Sequence, residues 1–290
     1  MVNRFYKDGD KLDVAGLNEI TVLLDRSETE STEIGWNCWT PQQDGPPHKH
    51  NDKDQVFYVT GGVGIIKLGD KEYPAKKGCL AYVPAGLVHQ TITTTEERLC
   101  YMLFNVFKSS DKEGHGTFAE HIEKVKQIRR RQAETGKTEM EDIEQLTDLK
   151  EHKYFTDVNF GKVYEFGSNT ANLLVDRCEA NKCELTLVKW LEGNKGAMVA
   201  HKEKEQAFFV LEGEGKVTIG DETEEIKSGH LIYVPRNSVH TTEATKGTLT
   251  YLCMNGLSEE AEDIDFETMY NRVSQDLIDR WKNGSSEIGE

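Results

Sequence analysis

The sequence lacks the features that mark membrane, secreted and nucleic-acid-binding proteins. No stretch approaches the roughly 18 consecutive apolar residues that can span a bilayer, and the first residues contain no apolar run typical of a secretion signal. Basic residues are few, since 35 lysines and arginines stand against 51 acidic residues and give a net charge of −16. This balance disfavours a nucleic-acid backbone or an anionic membrane surface as a partner. We therefore predict a cytoplasmic protein with a small-molecule substrate.

The sequence also lacks a disulfide framework. Its cysteines are scattered and contain no C-x-x-C pair, at Cys38, Cys79, Cys100, Cys178, Cys183 and Cys253. Most of them are predicted to be buried thiols in a reducing compartment. Cys178 and Cys183 would pair only if a turn lay between them.

An internal repeat is present instead. Asp54–Gly64 (DQVFYVTGGVG) matches Glu205–Gly215 (EQAFFVLEGEG), and Gly78–Thr91 matches Gly229–Thr242. Each pair of matched residues is separated by the same distance along the chain, so the two copies are related without a net gap. A constant repeat over this length predicts two homologous domains.

Each copy consists of short runs of β-branched and aromatic residues separated by glycine-containing turns, which predicts a mainly β sandwich or barrel. The segment between the copies is highly charged and has apolar residues at helical spacing. These residues are Phe118, Ile122, Val125 and Ile128, followed by Met140, Ile143, Leu146 and Leu149, and a third helical pattern follows at Phe266, Met269, Val273, Leu277 and Trp281. The predicted domains are 1–112, a helical linker 113–155, 156–258, and a C-terminal helix with a flexible tail, 259–290.

Four side chains of the first copy have the spacing of a metal site. His48 and His50 are two residues apart, so on an extended strand both imidazoles project from the same face. A turn after them would bring Gln55 to the same point, and His89 follows a second turn in the next motif. Three imidazoles and one oxygen donor suit a first-row divalent ion with open positions for substrate.

At these residues the sequence resembles the cupin superfamily. His48, His50 and Gly62 match its first motif, and the residues Gly78, Pro84, Gly86 and His89 match its second. Gln42 stands where the first motif begins with glycine, Thr93 replaces the last asparagine of the second motif, and Gln55 replaces the usual glutamate ligand. The resemblance implies a bicupin, with two tandem jelly-roll barrels, a helical linker and a C-terminal helix. It also implies one divalent transition metal, iron, manganese, nickel or zinc, in the N-terminal barrel.

The second copy is eroded. His201, Gln206 and His240 align with His50, Gln55 and His89, and form a weaker candidate metal site, but Val199 falls where His48 stands. Asn237 also replaces the motif glycine. We expect either a structural barrel kept for packing or a second site in which Glu203 replaces the missing imidazole.

The ligand set of the first copy carries no charge, so a bound ion would keep most of its own charge and favour anionic oxygen ligands. Cupins with this set resemble ring-opening enzymes that act on uronates. The expected function is a Lewis-acid isomerase or lyase acting on a uronate, keto acid or hydroxy acid, with Tyr58, Tyr82 and Tyr101 as candidate proton carriers. The alternatives are a metal dioxygenase of the quercetinase or catechol type, and a non-catalytic bicupin that binds a sugar or another small molecule. A homodimer is a further expectation.

The remaining polar residues receive simpler interpretations. We expect His115, His121 and His152 to be solvated, and His230 to pack in a barrel. The run of arginines from Arg129 to Arg131 is too short and too surrounded by acid to bind nucleic acid.

Overall fold

The computed structural model describes residues 1–112, 116–135, 155–284 and 287–289. Its residues divide into an N-terminal unit, Lys7–Val158, and a C-terminal unit that joins Met1–Tyr6 to Asn159–Glu290. Strands dominate both units, which confirms the predicted mainly β class and the tandem barrels.

The elements follow the repeat. Up to the linker they are β1 (Val2–Phe5), β2 (Asp10–Val14), β3 (Asn18–Leu24), β4 (Thr32–Trp39), β5 (Lys53–Gly61), β6 (Val63–Leu68), β7 (Lys71–Lys76), β8 (Cys79–Val83), β9 (His89–Ile92), β10 (Cys100–Phe107) and α1 (Phe118–Thr135). They continue with β11 (Phe155–Asp157), β12 (Lys162–Glu165), β13 (Asn169–Val175), β14 (Cys183–Trp190), β15 (Lys204–Ile219), β16 (Glu222–Lys227), β17 (His230–Val234), β18 (His240–Leu257) and α2 (Phe266–Lys282).

The barrel of the N-terminal unit is made of two sheets. One has the strand order β11-β8-β5-β10-β4-β3-β2, and the other has the order β7-β6-β9. In the C-terminal unit, the long strand β15 covers the region that β5 and β6 cover in the first copy. The long strand β18 covers the region of β9 and β10. That unit is therefore one sheet, in the order β1-β17-β15-β18-β14-β13-β12, with β16 on β15.

Two edge strands come from unexpected parts of the chain. β1 pairs with β17 of the C-terminal unit, although it lies at the start of the chain, and β11 pairs with β8 of the N-terminal unit. The predicted domain boundaries place β1 in domain 1–112 and most of β11 in domain 156–258. Edge pairing of this kind depends on which backbone edge is free in the folded barrel, and no local pattern in the sequence reports it.

Burial explains the character of the strands. β6 alternates between buried and more exposed residues, as expected for a strand with one covered face. β5 is buried on both faces over most of its length, so it appears as a continuous apolar run interrupted by a few polar residues. One face of β5 directs Phe57 and Val59 into the core of the N-terminal unit.

Both helices begin at equivalent points of the repeat. The backbone N–H of Phe118 donates to Asp25 Oδ2 at 2.9 Å, and that of Phe266 donates to Asp176 Oδ1 at 3.1 Å. A carboxylate at a helix N-terminus satisfies a donor that has no partner within the helix. In the described part of the chain, neither helix has the length and hydropathy needed to cross a bilayer. The second predicted linker helix, around residues 140–149, lies outside the described residues, as do His115 and His152.

Most of the cysteines are free thiols, as predicted, but one pair is not. Cys38 and Cys100 lie opposite each other on β4 and β10 and form a disulfide, with their Cα atoms 4.2 Å apart. The two residues are distant in sequence, so only the register of the two strands brings them together. Cys79, Cys178, Cys183 and Cys253 are free thiols.

The C-terminal tail, predicted to be flexible from Gly284 onward, makes ordered contacts near its end. The backbone N–H of Gly289 donates to the carbonyl of Met198 at 3.1 Å, and the N–H of Ala200 donates to Gly289 at 2.9 Å. The end of the tail therefore lies along the segment that leads into β15.

Candidate metal centre

Three imidazoles converge inside the N-terminal barrel. His48 and His89 are bonded across two adjacent backbone segments, with N–H···O distances of 3.0 and 2.8 Å in the two directions. This pairing puts both side chains on the same face, and His50 joins them from two residues further on. The ring centroids are 4.2 Å apart for His48 and His89, 5.1 Å for His48 and His50, and 5.5 Å for His50 and His89. One ring nitrogen from each histidine lies within 4.8 Å of the others, which is a spacing that can hold a metal ion.

Backbone carbonyls orient two of these rings. His48 Nδ1 lies 2.9 Å from the carbonyl of Pro46, and His89 Nδ1 lies 3.1 Å from the carbonyl of Leu87. A ring that donates from Nδ1 keeps its lone pair on Nε2, which is the arrangement found in metal-binding histidines. His89 Nε2 is buried and has no hydrogen-bond partner.

Gln55 is held with its carbonyl oxygen free. Its Nε2 donates to Asn105 Oδ1 at 2.8 Å, while its Oε1 is buried without a hydrogen bond. Gln55 lines the same cavity as the three histidines. The predicted turn between His50 and Gln55 is present as a bend at residues 51–52, and β5 begins at Lys53.

A polar chain continues behind Gln55. Asn105 Nδ2 donates to Glu33 Oε1 at 2.7 Å, and His121 Nδ1 lies 3.2 Å from the same oxygen. The ammonium group of Lys53 lies 3.2 Å from His121 Nε2. Glu33 is fully buried. The chain thus connects a candidate metal ligand to a histidine of α1.

The expectation that His121 is solvated is wrong. Its side chain is 13% exposed and lies in the cavity wall. One signal in the sequence was its position: His121 is three residues after Phe118 and four before Val125, so it borders the apolar stripe of α1. Arg129, four residues after Val125, lies in the same wall and was also missed.

Burial keeps the imidazoles neutral. It lowers the pKa of His48 to about 4, and it lowers the pKa values of His50 and His89 well below their usual range. Burial also lowers the pKa of Lys53. Neutral imidazole is the form that donates a lone pair to a metal, so the cluster is ready to bind one at neutral pH.

The cavity around the histidines has a volume of about 460 Å³. Its floor is formed by the inner faces of the strands, including Phe57 and Leu103. Its opposite wall is formed by α1, from which Ile122 and Val125 project. This volume lies within the range of small-molecule sites in proteins.

The three tyrosines proposed from the sequence are separated by the structure. Tyr101 lines the cavity, and its hydroxyl is bonded to Trp39 Nε1 at 2.8 Å and to Asn37 Nδ2 at 3.0 Å. Tyr58 lies on β5 next to Phe57, on the opposite face of the strand, and burial raises its pKa to about 12. Tyr82 donates to Asp54 Oδ2 at 3.0 Å. Neither Tyr58 nor Tyr82 is part of the cavity wall.

The C-terminal barrel contains a cavity of about 450 Å³ at the equivalent place. His201 and His240 face it with their ring centroids 5.3 Å apart, and Gln206 repeats the arrangement of Gln55, with Nε2 donating to Asn255 Oδ1 at 2.9 Å. Val199 occupies the position of the third imidazole and is paired with His240. Gln206 Oε1 is also buried without a hydrogen bond.

Glu203 does not complete this second cluster. It lines the cavity, but its carboxylate lies 3.8 Å from the guanidinium of Arg177, and the side chain is 41% exposed. Among the described residues, three metal-ligand side chains come within binding distance of one another at His48, His50 and His89. The C-terminal cavity has no such group among those residues.

The backbone preserves the motif even where the sequence departs from it. Gln42 and Asn237, which stand at glycine positions of the motifs, have φ values of +55° and +60°. Their counterparts Gly193 and Gly86 have φ values of +83° and +89°. Each of these residues therefore adopts the left-handed conformation that the turn requires.

Comparison with known proteins agrees with this architecture. Residues 36–105 and 187–255 each match the cupin domain family. An uncharacterized protein of Methanocaldococcus jannaschii is 35% identical over 51 residues, which is 18% of this chain and 41% of that protein. The match thus spans less than half of that relative.

Solved structures resemble nearly the whole chain. A formate complex of oxalate decarboxylase from Lactobacillus farciminis has a TM-score of 0.60 at 13% identity, covering 99% of this chain and 94% of its own. A putative glyoxylate-induced protein from Pseudomonas aeruginosa has a TM-score of 0.63 at 11% identity, covering 87% and 85%. AerE from Microcystis aeruginosa has a TM-score of 0.58 at 11% identity, covering 86% and 97%. At these identities the likeness concerns the fold.

Proposed function

Because the chain is a bicupin of the cupin superfamily, with two tandem cupin domains, we propose that it is a metal-dependent enzyme with one divalent transition-metal ion in its N-terminal barrel. The proposed ligands are His48, His50, Gln55 and His89. The observation that carries this proposal is the pair of buried, unpartnered atoms, His89 Nε2 and Gln55 Oε1, that border the three-histidine cluster. Buried polar atoms without a partner are costly, and a metal ion would satisfy both of them.

The donor set fits such an ion. Three neutral nitrogens and one amide oxygen match the preferences of iron, manganese, nickel or zinc. The carbonyls of Pro46 and Leu87 hold two of the rings, and Asn105 holds the amide, so these donors need little rearrangement on binding.

The charge of the cavity favours an anionic substrate. None of the four proposed ligands carries a charge at neutral pH, and the ammonium group of Lys53 and the guanidinium of Arg129 line the same cavity. When bound, the ion would supply Lewis acidity, which stabilises negative charge on a substrate oxygen. We therefore infer a small keto acid, hydroxy acid or uronate as substrate, in a lyase or isomerase reaction.

Proton transfer in such a reaction needs a titratable group in the cavity. Tyr58 and Tyr82 do not line it. His121 does, and its ring nitrogens lie 3.2 Å from Glu33 Oε1 and 3.2 Å from the ammonium group of Lys53. We assign that role to His121, while Tyr101, with its hydroxyl bonded to Trp39 and Asn37, positions the wall of the cavity.

A dioxygenase remains the second candidate, because part of the wall is apolar. Phe57, Leu103 and Ile122 would suit an aromatic substrate of the flavonoid or catechol type. The two functions differ in oxygen use and in the metal, since oxygen consumption with iron would favour the dioxygenase. A non-catalytic binding bicupin would show neither turnover nor a need for four converging donors.

The metal content of two matched variants tests the proposal. Wild-type protein purified with added metal should retain a single ion per chain, as measured by plasma mass spectrometry. His48→Ala should reduce the ion to background, because it removes one of three imidazoles. His201→Ala, the matched change in the C-terminal barrel, should leave the content unchanged.

Metal-free wild-type protein under metal-replete conditions would contradict the proposal. Equal loss in the two variants would show that the C-terminal barrel binds metal as well. If the protein binds metal, keto acids, uronates and catechols would be screened for turnover on the metal-loaded protein. Oxygen consumption, measured with an oxygen electrode, would separate a dioxygenase from a lyase or isomerase.

A further inference from the structure

Arg129 occupies the wall of the N-terminal cavity and is held there by contacts with the barrel. Its Nη1 donates to the carbonyl of Val14 at 2.9 Å and to Asn18 Oδ1 at 3.2 Å. Its guanidinium carbon lies 5.9 Å from the centroid of a Trp39 ring. The side chain is therefore oriented by groups of the barrel, although it belongs to α1.

The remaining donors of Arg129 have no acceptor among the residues that the structure describes. Within the described residues no carboxylate forms an ion pair with it, and its Nε and Nη2 atoms make no hydrogen bond. Asp13 attracts the guanidinium from a distance, but its carboxylate accepts from the N–H of Gly16 and its side chain is exposed. A half-buried guanidinium stays charged and presents a planar fork of donors, which matches a carboxylate.

The second barrel provides an internal comparison. Both helices start at equivalent residues, Phe118 and Phe266, so the position of Arg129 corresponds to Leu277. Leu277 lines the C-terminal cavity. In the same way, His121 corresponds to Met269. At these two positions the barrel with three imidazoles has polar side chains and the barrel with two has apolar ones, although Arg272 of α2 also lines the C-terminal cavity.

We propose that Arg129 binds a carboxylate of the substrate through its fork, so that the substrate is a small dicarboxylate or a keto or hydroxy acid with a second carboxylate. The other end of the molecule would place its oxygens at the histidine cluster. Two anchors at separate points of one cavity select the length of the substrate as well as its charge. This inference rests on the proposed function, since it assumes that one end of the ligand meets the metal.

Binding of simple acids to the metal-loaded protein tests it. Oxalate, malonate and succinate would be titrated by calorimetry against acetate, propionate and butyrate, in parallel with the metal content of each sample. For wild-type protein we expect at least one diacid to bind about tenfold or more tightly than the monoacid of equal length, the scale of one charge-assisted bidentate contact.

Two variants and one control isolate the role of Arg129. Arg129→Met should bring the ratio of diacid to monoacid affinity to about one, because diacid affinity falls much more than monoacid affinity, while metal content stays at the wild-type level. Arg129→Lys should keep part of the preference, because it keeps the charge but loses the fork. Arg130→Met, a change at the exposed neighbouring position, should have no effect.

A metal-loaded wild-type protein without diacid preference, or a preference that survives in Arg129→Met, would overturn this inference and leave the metal site standing. If wild-type protein retains no metal, the proposed function fails. The same titration of metal-free protein then decides the inference by itself: loss of carboxylate binding in Arg129→Met supports it, and unchanged binding, or no binding by the wild type, overturns it.

Discussion

Replacing Asn105 by leucine should weaken metal binding in a protein that still folds. Asn105 accepts from Gln55 Nε2 and donates to Glu33 Oε1, and it is fully buried. It does not line the cavity, so leucine, which is close to it in size, removes both hydrogen bonds without touching a bound ligand. The Gln55 amide then loses the contact that determines which of its two terminal atoms points into the cavity.

The expected costs follow from these two bonds. Loss of a hydrogen bond to a charged acceptor costs about 1.5–3 kcal/mol, and a stranded buried amide N–H about 1–3 kcal/mol, so unfolding free energy should fall by about 2.5–6 kcal/mol. Loss of a residue that orients a metal ligand lowers affinity by about 10- to 100-fold. This corresponds to about 1.4–2.7 kcal/mol of metal binding.

The matched variant is Asn255→Leu. Asn255 bonds Gln206 and Glu184 in the C-terminal barrel with the same pattern, so its loss should cost a similar amount of stability. Urea unfolding would measure stability, and competition with a chromophoric chelator would measure metal affinity. Both variants should be destabilised, and only Asn105→Leu should lose metal affinity.

A folded Asn105→Leu protein with wild-type metal affinity would refute the reasoning, because the orientation of Gln55 would then not matter for the ion. Equal loss of affinity in Asn255→Leu would also refute it, since that barrel would have to contribute ligands.

Two further predictions concern stability. Replacing Cys38 and Cys100 together by serine should lower the unfolding free energy by about 4 kcal/mol, since the disulfide closes a separation of 62 residues. Urea unfolding curves with and without dithiothreitol should differ for the wild type and coincide for the variant. Wild-type curves that coincide would count against this prediction. Gly62→Ala should cost about 2 kcal/mol or more, because Gly62 has a φ of +76° and a Cβ there would lie 1.9 Å from the carbonyl oxygen of Arg98. Gly61→Ala, where no atom lies within 4 Å of the added Cβ, is the control, and an equal shift in unfolding midpoint would show that the conformation of Gly62 is not the cause.

The histidine cluster was predictable because its determinants are local. His48 and His50 share a face by strand geometry, and turn residues place His89 next to them. The repeat likewise predicted the second barrel and the missing imidazole at Val199. Short-range patterns of this kind can be read from the sequence because backbone periodicity decides which nearby residues share a face.

The helix wall was not predictable in the same way. The apolar stripe of α1 indicated a helix packed on a barrel, but His121 and Arg129 lie at the border of that stripe. Whether a border residue faces solvent or the cavity depends on the rotation of the helix about its axis. Contacts between distant segments hold the helix in the observed rotation, among them the hydrogen bond from the N–H of Phe118 to Asp25 Oδ2.

By itself, the sequence determined a duplicated β-barrel, through its internal repeat, and three histidines placed to meet in the first copy, through strand periodicity and the turn before His89. The tertiary structure alone decided the pairing of β1 with β17 and of β11 with β8, and the Cys38–Cys100 disulfide. It also decided the orientation of the Gln55 amide and the charged wall of α1. Each of these depends on a contact between segments distant in sequence, and such contacts are established by the free edges, strand register and helix rotation of the folded chain.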